Sequence, residues 1–287
     1  MSEPSVVWHR DGRIARIELN RPEVLNAIHD ALPDDLARCV HEANEDDAVH
    51  VIVLSGKGDA FCAGYDLKYY AEANGTGDVT QEMPWDPMKD YRLMKRNTDL
   101  FMSLWRSYKP VIAKVHGFAV AGGSDIALCC DMIVMSEEAR IGYMPVRVWG
   151  CPTTAMWVYR LGAEKAKRML FTGDKISGRE ARDMGLVLDA VPADELDATV
   201  DRLAERMAGV PRNQLMMQKL VINQALEAMG IANTQMIATV FDGITRHSPE
   251  GINFKKRAEE VGWKQAVRER DNGTWDWTDN RPINAPK

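Results

Sequence analysis

Apolar and polar residues alternate loosely from Val6 to Leu19 on either side of Asp11-Gly12, a pattern that predicts two strands joined by a tight turn. After Asn20-Arg21-Pro22, a helical spacing from about Leu32 to Ala43 leads into VHVIVLS at Val49 to Ser55. Such a short apolar run suits a strand buried on both faces. The theme recurs with a helix around Asp99 to Ser107 and a strand from Pro110 to Gly117. A Gly122-Gly123 turn then opens a helix from about Ser124, and a strand runs from Met132 to Met135. Alternating strands and helices predict an α/β or layered spiral architecture rather than a bundle or a sandwich. Asn74 to Lys89 is aperiodic and rich in Gly, Pro and Asp, and reads as a surface excursion able to serve as a lid.

Beyond Val191-Pro192 the pattern is helical only, with stretches from about Ala193 to Ala208, Pro211 to Met229 and Ala232 to Arg246. A further helix starts at Ser248-Pro249-Glu250, where a capping residue precedes a proline at the first helical position. The expected division is a core over residues 1–192 and a helical region over 193–287. Met216, Met217, Leu220, Met229, Met236 and Ile237 make that region more apolar than a peripheral helix needs, which points to another subunit or to cover for the sheet.

Composition narrows the function. A formal net charge of -6 argues against a general grip on nucleic acid, which needs a dominant basic face, and leaves room only for local basic patches. The five cysteines are odd in number and lack CxxC spacing, which argues against a disulfide framework or a thiolate metal site and for the reducing cytoplasm. Charge interrupts the N-terminal apolar residues as no signal peptide allows, and no stretch reaches the roughly 18 apolar residues of a membrane span.

The chemistry concentrates in KVHGFAVAGGSDIALCCD, Lys114 to Asp131, where a strand runs through two glycines into a helix. Unsatisfied N–H groups at such a junction stabilise an anion, either a phosphate or the oxyanion of an attacked or enolised carbonyl. A dinucleotide site fits poorly, because G-x-G-x-x-G is absent and the helix is short for a crossover. GKGDAFCAGYDL, Gly56 to Leu67, brings a second glycine turn directly after another strand. Two such strand ends can supply the two convergent donors that a thioester oxyanion needs.

NRPEVLNAI at Asn20, GDAFCAGYDL at Gly58, KPVIAKVHGFAVAGGSDIALCCD at Lys109 and TGDKISGREARDMGLV at Thr172 together resemble the successive hallmarks of the crotonase (enoyl-CoA hydratase/isomerase) superfamily, over about Val6 to Arg270. The resemblance implies a crotonase-like spiral of ββα turns with a C-terminal helical trimerisation region, assembled as a homotrimer or a hexamer of two trimers. It implies an acyl-CoA thioester substrate and no metal or redox cofactor, coenzyme A being part of the substrate. The oxyanion donors would be the N–H groups of Tyr65 and Gly122. Ala63, Tyr65, Asp66, Leu67 and Lys68 would follow the thioester end and the pantetheine arm, and Arg257 would meet a CoA phosphate.

Hydratases of that family use two glutamates to place water and protonate the α carbon. Asp125 stands at the first position, and an ungapped reading through RIGYMPVRVWGCP puts Pro145 at the second. Asp125 alone can move a double bond, since one group can take and return one proton. Tyr143, Arg147, Glu137, Glu138 or Asp66 are possible replacements for the missing carboxylate, while Thr153 supplies no acid. Hydrolysis of the thioester or carbon–carbon cleavage, and silent binding of acyl-CoA with Asp125 as a buttress, are the competing readings. His116 reads as a brace for the glycine turn, Cys62 as a small apolar residue without a His-Asp pair, and Cys129-Cys130 as helix core. Trp149 and Trp157 suit an acyl pocket or the core equally, and no G-x-S-x-G elbow marks a serine hydrolase.

Overall fold

The computed structural model describes residues 3–72, 81 and 84–284. A hairpin of β1 (Val6–Asp11) and β2 (Ile14–Leu19) opens the chain, paired antiparallel from Val6 with Leu19 to Asp11 with Ile14. Helix α1 (Leu32–Glu45) carries a proline and two aspartates in its first turn and buries Leu32, Leu36, Cys39, Val40 and Ala43 along one face. β3 (Val51–Gly56) then pairs parallel to β2. α2 (Pro87–Phe101) and the short α3 (Ser103–Arg106) lead into β4 (Val111–Val115). β5 (Phe118–Val120), α4 (Gly122–Leu128), β6 (Met132–Ser136) and β7 (Arg140–Gly142) follow. Next come α5 (Met156–Thr172), β8 (Lys175–Ser177), α6 (Gly178–Met184) and β9 (Asp189–Val191).

The main sheet has the order β1-β2-β3-β4-β6-β9 and is parallel beyond the hairpin; β5-β7-β8 form a second, three-stranded sheet. The apolar run in β3 serves both faces of the main sheet, as a parallel strand must. Ile52 and Leu54 enter the large core with α1, whereas Val51 and Val53 meet Leu196, Val200 and Ala204 of α7 (Leu196–Ala208). α8 (Arg212–Glu227), α9 (Ile231–His247), α10 (Pro249–Val261) and α11 (Trp263–Asn272) complete the helical region. Ser248 caps α10 by accepting from the Gly251 N–H at 3.2 Å, as its sequence predicts.

Three expectations change. The helix expected from Asp99 begins at Pro87, because Asp86 accepts from the Met88 and Lys89 amides and Pro87 follows at the first helical position. Part of the expected Asn74–Lys89 excursion is therefore helix, and most of the rest lies outside the described residues. The strand expected from Pro110 to Gly117 ends at Val115, and the chain resumes as β5 in the second sheet. The C-terminal region is not wholly helical: β10 (Trp275–Asp276) pairs with β11 (Arg281–Pro282). Among the described residues no helix is long and apolar enough to cross a membrane.

Residues 61–66 stitch the hairpin side of the molecule to the second sheet. The Cys62 N–H donates to Phe118 O at 2.8 Å and Cys62 O accepts from Val120 at 3.1 Å. On the other side Ile28 donates to Gly64 O at 2.8 Å and receives the Asp66 N–H at 2.9 Å. This approach leaves no room for a side chain at Gly123, where a Cβ would stand 2.2 Å from Cys62 O. Gly123→Ala is expected to lower unfolding stability by about 3 kcal/mol or more, because backbone on both sides must shift. Urea denaturation of the variant checks this, and an unchanged midpoint would contradict the packing described.

Candidate active site

A cavity of about 440 Å³ opens between the core and the helical region, and both contribute to its wall. From the core come Ala63, Tyr65, Leu67, Gly122 and Asp125; from the helical region come Asp242, Arg246, Trp263 and Arg270. Five of the eight site residues expected from the sequence therefore meet in one place.

Two backbone turns meet at the cavity wall. Gly64, at φ 89°, lies so close to the second turn that a Cβ would stand 2.8 Å from Ala121 Cβ and 3.4 Å from Gly122 N. A Cβ on Gly122 would in turn sit 3.0 Å from the Tyr65 ring. Gly122 is the first residue of α4, where an N–H has no partner within the helix. Ala121, just before it, holds φ 51° and ψ -127°, a conformation that costs a non-glycine residue roughly 1–3 kcal/mol. Its N–H is fixed on Gly142 O at 2.9 Å, so β7 holds the strained turn in place.

Asp125 follows one helical turn later, buried, and its Oδ1 accepts from Thr154 Oγ1 at 2.5 Å. Burial pushes its carboxyl up to about 8, the Thr154 hydrogen bond opposes the rise, and the charge of Asp242 adds to it. The group thus carries its proton at neutral pH. The Tyr65 hydroxyl accepts from Asn97 Nδ2 at 3.3 Å, and burial raises its pKa too. Thr153 also lines the wall and receives Thr98 Oγ1 at 2.6 Å.

The other expected residues lie elsewhere. Asp66 is 3.5 Å from the Arg21 guanidinium, Lys68 is exposed, and neither forms the wall. Arg257 is bound by Glu269 at 2.9 and 3.0 Å and lies 3.9 Å over the Trp275 ring. Of the possible substitutes for the missing glutamate, Glu137 pairs with Arg179 at 2.6 Å and Glu138 lies 3.8 Å from the same guanidinium. Arg147 donates to Thr172 O at 2.8 Å, outside the wall. Tyr143 does reach the cavity, but its hydroxyl is committed to Cys151 O at 3.0 Å.

His116 braces the glycine turn through Nε2 against Gly58 O at 2.7 Å. Cys62 is buried, its thiol pushed up to about 12, and Cys129 and Cys130 are core. Trp149 lines the cavity and packs on Phe254, whereas Trp157 is wholly buried in the core.

Sequence reasoning missed the inner face of α9. Gln235, Thr239, Asp242 and Arg246 recur at spacings of four, three and four, so they share one face, and all four are buried. Gln235 donates to Thr154 O at 3.0 Å, Asp242 Oδ1 accepts from the Cys151 N–H at 2.9 Å, and Arg246 pairs with both Asp242 and Asp90. The one available signal was the Asp242–Arg246 pair at i, i+4, which reads equally well as a solvated surface pair.

A parallel sheet spiralling with a second small sheet, and a helical tail folded back to close a cavity, make this a crotonase-fold protein. The enoyl-CoA hydratase/isomerase family model matches residues 9–265. The crystal structure of an enoyl-CoA hydratase from Mycobacterium smegmatis superposes with a TM-score of 0.89 at 45% identity, over 98% of this chain and 97% of that one. A mitochondrial enoyl-CoA hydratase of Pongo abelii is 31% identical over 221 residues, 76% of this chain and 71% of its own. The 2,3-dehydroadipyl-CoA hydratase of Escherichia coli is 29% identical over 88% of this chain and 95% of its own. The chain belongs to the enoyl-CoA hydratase/isomerase family, within the crotonase superfamily, and is an enzyme of that type.

The environment of Asp125 has a consequence for stability. Between about pH 4 and pH 8 the unfolded chain has released this proton and the native protein has kept it, so stability falls as pH rises through that window. Asp125→Asn removes the effect while leaving an acceptor for Thr154. The variant is expected to melt above the parent at pH 8, with the gap closing towards pH 4. Thermal unfolding across that range checks it; a gap independent of pH would contradict the assignment.

Proposed function

We propose that the protein acts on an acyl-CoA thioester, holding its carbonyl oxygen on the Tyr65 and Gly122 N–H groups and passing a proton at the α carbon through Asp125. The observation that carries this is the meeting of two backbone turns with a buried, protonated carboxyl in one cavity wall. An enolate gathers negative charge on the thioester oxygen, and fixed amides stabilise that charge more than they stabilise the ground state. Asp125 is positioned as the acid that returns a proton to the α carbon, or, once ionised, as the base that removes one. Leu67 lines the wall beside the exposed Lys68, which leaves Lys68 available to the CoA phosphates. Arg257 would first have to release Glu269.

We further propose a homotrimer, or a pair of trimers, joined through the outer face of α8 and α9. Val221, Ile222, Ile237 and Phe241 are all more than half exposed there. The unpaired state of all five cysteines supports a reducing, cytoplasmic setting.

Incubation with 2-enoyl-, 3-enoyl- and saturated acyl-CoA esters in deuterium oxide, followed by mass spectrometry, tests the reaction. Deuterium at the α carbon, with water addition or double-bond migration, is expected. Release of free CoA would instead make it a hydrolase, shortening of the acyl chain a carbon–carbon lyase, and tight binding without exchange a silent binder. The pH dependence follows from Asp125. Steps that need its proton are expected to decline above about pH 8, whereas α-proton removal from a saturated ester rises towards that pH. Light scattering checks the assembly, and a monomer across micromolar concentrations would defeat it.

A further inference from the structure

We propose that Asp242 is the second carboxylate of the active site, the base that takes a proton from water as the water adds to the β carbon. The inference rests on the roles given above to Tyr65, Gly122 and Asp125. Its starting point is the place the resemblance leaves vacant at Pro145. A methyl group on Gly150 would stand 2.8 Å from Pro145 Cβ, 3.4 Å from the Tyr143 hydroxyl and 3.5 Å from Asp242 Oδ1. Pro145 and the Asp242 carboxylate therefore both border Gly150, and both line the cavity that holds Asp125.

One short loop ties the two carboxyl groups together. The Cys151 N–H holds Asp242 Oδ1 at 2.9 Å, and Thr154 Oγ1, three residues on, holds Asp125 at 2.5 Å. Arg246 divides its charge between Asp242 and Asp90, so two carboxylates share one guanidinium. His247, beside Asp90, accepts the Gln81 N–H at Nε2. At Oδ1 Asp242 is engaged by a neutral amide, which uses one of two lone pairs and leaves the other for water.

The step balances as follows. Asp242 removes a proton from water while the water oxygen bonds to the β carbon. The π electrons of the double bond move through the α carbon onto the thioester oxygen, where the Tyr65 and Gly122 amides receive the charge. Asp125 then gives its proton to the α carbon as the carbonyl re-forms, and the proton on Asp242 returns to Asp125 through solvent.

Two reactions separate this inference from the reading beneath it. Deuterium exchange at the α carbon of a saturated ester needs the amides and Asp125 alone, whereas hydration of a 2-enoyl ester also needs Asp242. Asp242→Asn is expected to lower kcat/KM for hydration by about a hundredfold or more and to leave exchange within a few-fold of the parent. Asp90→Asn, which breaks the far end of the same ion cluster outside the cavity wall, is expected to leave both reactions in place. Hydration unaffected by Asp242→Asn, or lost equally in Asp90→Asn, would overturn the proposal. A parent that exchanges but hydrates no 2-enoyl ester would overturn it too, while sparing the roles of Tyr65, Gly122 and Asp125. A parent that does neither would remove those roles as well. If Asp242→Asn does not fold, Asp242→Glu keeps the charge on Arg246 but moves the carboxylate, and the same selective loss of hydration is expected; its absence counts against Asp242.

Discussion

A carboxyl group taken out of water must find a counter-charge, a set of hydrogen bonds or a proton, and this constraint orders the cavity. Asp125 has a single hydroxyl partner and keeps its proton. Asp242, buried to a similar degree, has a guanidinium and a backbone amide. Two buried carboxyl groups of one cavity thus have different surroundings, one a hydroxyl and the other a guanidinium and an amide. Thr154, which meets Asp125 through its hydroxyl, is itself held at its carbonyl by Gln235.

Helix α9 is built with its polarity reversed relative to an ordinary surface helix. Its inner face carries Gln235, Thr239, Asp242 and Arg246, every one with a partner, and its outer face carries Met236, Ile237, Val240 and Phe241. A buried polar network fixes the helix rotation more narrowly than apolar packing would, because a slip of one residue would strand a charge. The loop of residues 151–154 inherits that fixed position, and Asp125 inherits it from the loop. The outward apolar face is the complement of this arrangement.

Most of the frame was legible in the sequence because it depends on local pattern. The β1–β2 turn, the doubly buried β3 and the capped start of α10 each follow from residues near one another in the chain. The two glycine turns were legible as well, since close backbone approach leaves glycine as its trace. The start of α2 was not, because Asp86-Pro87 caps a helix inside a stretch whose composition reads as loop. The inner face of α9 was not legible for a deeper reason. Hydrophobic periodicity assigns a buried side to the apolar face, and here the apolar face is the exposed one.

That reversal bears on what Pro145 signifies. Proline cannot carry a proton, but it keeps the turn: its carbonyl receives the Trp149 N–H at 2.7 Å and the Val148 N–H at 3.0 Å. The turn delivers Gly150, which Pro145, the Tyr143 hydroxyl and the Asp242 carboxylate all border. A carboxylate rising from the loop would compete with one arriving from α9 at that point, and two negative charges at such range repel. Pro145, Gly150 and Asp242 are therefore best understood as one arrangement. The proposed hydration needs a carboxylate at one point in space, and the chain can supply it from the loop or from the helix that covers the loop, but not readily from both.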